Sequence, residues 1–164
     1  MSERKQNKKI DKRAPVIVGV GDLVDRSKED GLNPQELLAK ACEHAIQDSG
    51  IKELNKHIDY IGVVRFTVDF LTATNQSNFQ YSNFPRTLAN KLNVSAKNEV
   101  YAPMGGNSPQ VLLEDALVKI STGETDCALL SGGEALQTMI AKLKAGMSLD
   151  WLDEPGGSPE MIGN

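Results

Sequence analysis

Long apolar runs are missing from this 164-residue chain. No stretch approaches the roughly 18 apolar residues needed to cross a bilayer, and none follows the N-terminal charges as a secretory leader requires. Cysteine is scarce. Cys42 and Cys127 are the only two, too few for a disulfide framework and without CxxC spacing, so a reducing, cytoplasmic setting fits best. Histidine is as thin: His44 and His57 fall on different elements, with no carboxylate or Cys at ligand spacing, so no metal site and no resident cofactor are expected. His44 stands near Cys42 but on another side of the same predicted helix, a poor geometry for a Cys–His dyad. Both histidines read as ordinary surface groups.

Charge of one sign is also confined. Residues 1–13 carry six basic and two acidic side chains, a net of +4, which leaves −8 on the rest of a chain whose total is −4. An acidic body argues against a nucleic-acid surface on the fold. The tail 1–13 reads as a disordered, solvated terminus, and residues 14–164 as one domain, long enough to bury a real core.

The rest of the chain alternates strands with helices. Pro15-Val16-Ile17-Val18-Gly19-Val20-Gly21 is a continuous β-branched apolar run, the pattern of a strand buried on both faces. A helix follows with Asn33 as N-cap, Pro34 first, Glu36 third and Gly50 just past its end. Residues 58–66 predict a second strand, 67–83 a loop, and 84–92 a short helix capped by Ser82 or Asn83. Then comes a strand–turn–helix–strand unit. The strand 99–102 enters the turn Pro103-Met104-Gly105-Gly106-Asn107-Ser108, Ser108 caps the helix 109–122, Gly123 stops it, and the strand 127–130 ends in Ser131-Gly132-Gly133-Glu134. A last helix spans 136–145, and 151–159 is turn-rich. This order implies α/β architecture, a mostly parallel mixed sheet with helices on both faces.

The helix 109–122 is apolar around most of its circumference. Such a helix is buried on nearly all sides, and four strands with three other helices cover only one face. The remainder calls for a second copy of the chain or a further domain.

Nucleotide motifs fail on inspection. Gly19-Val20-Gly21-Asp22-Leu23-Val24 lacks a third glycine and is followed by no helix until Pro34. Gly105-Gly106-Asn107-Ser108-Pro109 has no Lys of a phosphate-binding loop. Cys42, on an amphipathic face, and Cys127, at a strand start, have no evident partner to lower their pKa. Ser108 has no visible base.

Taken together, VGVGD at 18–22, Asp48-Ser49-Gly50-Ile51, Ile58 to Val63, the elbow GGNSPQ at 105–110, Ser121 to Asp126 with Gly132-Gly133-Glu134, and the turn from Asp150-Trp151 to Pro155-Gly156-Gly157 resemble the N-terminal half of a thiolase. The likeness is nearest to the acetyl-CoA acetyltransferase branch related to sterol-carrier-protein thiolases. It implies a thiolase-like half-fold and acyl transfer between coenzyme A thioesters, with coenzyme A entering as substrate. It also implies a nucleophilic Cys at the start of the buried third helix. That position falls on Gly105 or Gly106, and glycine forms no thioester.

By the same resemblance Met104, Gly105, Gly106, Asn107 and Ser108 form the ancestral nucleophile elbow. Gly132 and Gly133 approach the substrate nearby, and catalytic residues proper are absent. Members of that family run to about twice this length, so the chain reads as an N-terminal portion whose partner is a homo-oligomer mate or a C-terminal half. The expectation is an acyltransferase-type fragment inactive alone. The alternative is a non-catalytic acyl-CoA- or lipid-binding or scaffold subunit associating through the helix 109–122.

Overall fold

The computed structural model describes residues 11–67, 69 and 81–163. Most of the expected disordered tail 1–13 and most of the expected loop 67–83 lie outside them.

Four strands form one sheet in the order β3-β1-β2-β4: β1 (Tyr60–Val64), β2 (Asn98–Ala102), β3 (Ala128–Ser131) and β4 (Glu160–Met161). Every pairing among the described residues is parallel. Tyr60 lies opposite Asn98 and Ala128, and Val100 opposite Glu160. The helices are α1 (Pro34–Asp48), α2 (Phe84–Leu92), α3 (Ser108–Thr122) and α4 (Leu136–Lys144).

Side chains alternate across the sheet and build two cores. Ile61, Val63, Tyr101 and Leu129 pack with α1, α2 and α4; Tyr60, Val100 and Ala102 pack under Leu112 and Ala116 of α3. Helices therefore cover both faces, as expected. Gly62 permits the close approach of α3: a Cβ there would stand 2.7 Å from Leu112 Cδ1.

Local signals explain the helix ends. Asn33 and Glu36 exchange the reciprocal bonds of a capping box on α1. Asn83, fully buried, accepts from the Arg86 N–H at 3.2 Å and starts α2. Gly123, at φ +80°, ends α3.

Two expectations are corrected. The run 15–21 forms no strand. It lies extended along α1 with Val16 and Ile17 75% and 79% exposed, although burying such side chains is worth roughly 1.5–3 kcal/mol each. Its backbone is diverted: Val20 N–H donates to Asp48 Oδ2 at 2.9 Å, and Gly19 and Gly21 press against the α1 backbone around Ala41 and Ala45, where no Cβ fits. Ser108 is not the cap of α3 but its first residue, buried; Asn107 holds the N-cap position without a side-chain cap bond. Just after the turn-rich stretch 151–159 the chain joins the sheet. β4 closes one sheet edge through the Lys119–Glu160 ion pair at 2.9 Å, and Tyr81 bridges Asp153.

The third helix is covered on one face only. Ser108, Leu112 and Ala116 are buried, whereas Leu113, Leu117 and Val118 stand 38%, 39% and 53% exposed.

Candidate functional site

A pocket of about 610 Å³ opens where the carboxyl ends of β1, β2 and β3 meet the N-terminus of α3. Parallel α/β sheets place ligands at this end, because loops diverge there and helix N-termini present unpaired amides. Five of the seven expected residues line it. Met104, Gly105 and Gly106 come from the turn after β2, and Gly132 and Gly133 from the loop after β3. The other two do not. Asn107 points to solvent and Ser108 is buried beneath the turn.

The turn's own hydrogen bonds select its available donors. Ser108 N–H is bonded to the Gly105 carbonyl at 3.2 Å, Gln110 N–H to the Asn107 carbonyl at 3.0 Å, and Pro109 has no N–H. Among the described residues the amides of Met104, Gly105, Gly106 and Asn107 make no such bond, and the first three belong to residues of the pocket wall. Any Cβ at Gly106 would meet open space. Glycine here leaves the pocket wide rather than relieving a clash.

Three polar side chains of the pocket, Arg65, Ser131 and Glu134, were not singled out as site residues. Arg65 extends from the end of β1. Its guanidinium carbon lies 4.7 Å from the centre of the Tyr101 ring, and its Nε 3.2 Å from Asp69 Oδ2. Tyr101 donates its hydroxyl to the same carboxylate oxygen at 2.9 Å. Burial raises the Asp69 carboxyl above its ordinary range, opposed by the Tyr101 bond and the Arg65 charge. Burial, reinforced by Asp69, drives the Tyr101 phenol far above its usual value. Glu134 Oε1 accepts from the Thr67 N–H at 2.6 Å. The available signal for Arg65 was a lone cation directly after an apolar strand, pointing to a charge held at a sheet end.

Neither thiol reaches the pocket wall. Cys42 sits within α1, and burial pushes its thiol up to about 11 against a hydrogen bond with Ser131. Cys127, just before β3, is also raised by burial and by the charges of Asp59 and Asp126. A thiol kept protonated is a poor nucleophile. His44 Nδ1 lies 2.9 Å from the Asp22 carbonyl oxygen, away from this pocket.

Geometry thus defines an α/β protein whose pocket is walled by glycine-bearing turns at the carboxyl end of a parallel sheet. No family model matches the chain, and no curated protein does. Among solved structures it is similar to a monomeric SCP2-thiolase-like protein (type 1) from Mycobacterium smegmatis, at 30% sequence identity and a TM-score of 0.57. The match covers 76% of this chain and 24% of that one. The chain has a thiolase-like fold of the SCP2-thiolase type, and its matched region spans about a quarter of that protein's length. Among the described residues no helix is long and apolar enough to cross a membrane.

Proposed function

We propose that the chain binds an acyl thioester, of the acyl-coenzyme A class, in the pocket between Met104–Gly106 and Gly132–Gly133, without forming an acyl-enzyme of its own. The observation that carries this reading is the elbow: Met104, Gly105 and Gly106, just before α3, line the pocket with amides that make no backbone hydrogen bond among the described residues, while both thiols lie elsewhere with raised pKa. An amide so placed donates to a thioester carbonyl oxygen, and the helix terminus favours negative charge developing there. Covalent transfer needs a nucleophile and a base brought by another chain or domain.

Calorimetric titration with acetyl-CoA tests it. Saturable binding is expected, weakened at least tenfold in Gly106→Leu, whose side chain enters open space and leaves the fold intact. Intact-mass measurement after incubation should show no acetyl adduct. Absence of binding at millimolar ligand would end the proposal.

A second reading rests on the uncovered flank of α3: a scaffold subunit that associates through Leu113, Leu117 and Val118. Sedimentation across micromolar concentrations separates the two, since a monomer at every concentration contradicts association.

A further inference from the structure

Among the described residues Arg65 is the only cation on the wall of the candidate pocket, and a thioester held by the elbow amides makes no use of it. Its backbone N–H donates to the carbonyl of Ala102, the last residue of β2, at 3.0 Å. The side chain therefore starts beside the turn that carries Met104, Gly105 and Gly106. It is braced on two sides: the guanidinium lies over the Tyr101 ring, 4.7 Å from its centre, and Nε faces Asp69 Oδ2 at 3.2 Å. Both braces are buried and neither reaches the pocket wall, whereas the Arg65 side chain keeps 35% of its surface open. Bracing of this kind cuts the rotamer entropy that a long cation otherwise loses on meeting a ligand.

We infer that Arg65 selects the acyl group: it pairs with a carboxylate at the far end of a short acyl chain, so an acidic thioester such as succinyl-CoA is preferred over a neutral one. The inference rests on the thioester reading above. Donor counting supports it. A guanidinium carries five N–H groups. Asp69 cannot take them all, because its Oδ2 already accepts from the Tyr101 hydroxyl at 2.9 Å and its carboxylate also accepts from the Tyr81 backbone N–H. Donors remain for a second carboxylate, the partner whose planar fork arginine matches best. Glu134, the other charge on the wall, is exposed at the rim and accepts from the Thr67 N–H, so solvent screens its repulsion. Val64, Met104, Pro109, Leu112 and Leu130 supply an apolar surface for the methylenes between thioester and carboxylate. A neutral chain end there would leave the guanidinium without a partner, which makes charge a strong discriminator.

Calorimetric titration of the full chain with succinyl-CoA, butyryl-CoA and free coenzyme A tests the idea, because the two acyl groups share a chain length and differ in the terminal carboxylate. Succinyl-CoA is expected to bind about tenfold tighter than butyryl-CoA or better, with the preference lost in Arg65→Gln and partly kept in Arg65→Lys. Equal affinity of the unaltered chain for the two acyl-CoAs overturns the inference and leaves the thioester reading standing. An equal loss for every ligand in Arg65→Gln also overturns it, since the side chain would then be meeting the phosphates of coenzyme A. Binding of none of them at millimolar concentration ends both readings. Should Arg65→Gln fail to fold, Arg65→Lys and the ligand comparison on the unaltered chain decide.

Discussion

Gly62 sits at the contact that brings α3 onto the sheet, with Leu112 Cδ1 2.7 Å and Tyr60 Cε1 2.9 Å from where its Cβ would be. Gly62→Val is therefore expected to lower stability by about 1–3 kcal/mol, measured by urea denaturation. Cys42 makes a different residue-scale statement. Burial pushes its folded pKa up to about 11, above the ordinary thiol value of 9.0, so the folded state holds that proton more tightly than the unfolded chain does. The contribution is intact below pH 9 and is lost as pH climbs from 9 to 11. Buried Tyr60 and Tyr101 act in the same direction at still higher pH. Urea midpoints should be flat from about pH 7 to 8.5 and fall beyond 9; a flat profile through 11 would count against a buried, protonated thiol.

At the scale of elements, Asn83 joins α2 to the sheet. Besides capping α2, its Nδ2 donates to Glu99 Oε2 on β2 at 2.9 Å, beside the Arg86–Glu99 ion pair at 2.7 Å. Asn83→Ala removes the cap and leaves the partly buried Glu99 carboxylate short of a donor. A loss of about 1–3 kcal/mol is expected in thermal or urea unfolding. These helix boundaries were legible in the sequence because capping chemistry is local: Asn33 with Glu36, Asn83 with Pro85, and Gly123 each act within one turn. Strand membership was less legible. Residues 15–21 read as a strand buried on both faces and lie outside the sheet, while Glu160–Met161, two residues without a pattern, lie in it. A strand exists only by pairing, and pairing partners are distant in sequence.

For the molecule as a whole, the unequal covering of α3 is the dominant feature. Leu117 is 39% exposed, so Leu117→Glu should change folding stability by less than about 0.5 kcal/mol. If the flank associates with a second copy, the same substitution shifts sedimentation to monomer; an unchanged distribution assigns association, if any, to another surface. The pocket also belongs to this scale. Its glycines were recognised as two turns, yet Arg65 and Glu134, which join them there, arrive from β1 and from the approach to α4. The one local mark is at Arg65, a lone cation directly after an apolar strand.

By itself the sequence determined the α/β alternation, the helix limits, the two glycine turns and the lack of a thiol at the elbow, all of which follow from local propensity and residue chemistry. Only the tertiary structure decided strand order and which helix face stays open. It alone brought Arg65 to the pocket and left the first apolar run in water. Those outcomes depend on contacts between segments tens of residues apart, where burial and pairing override local preference.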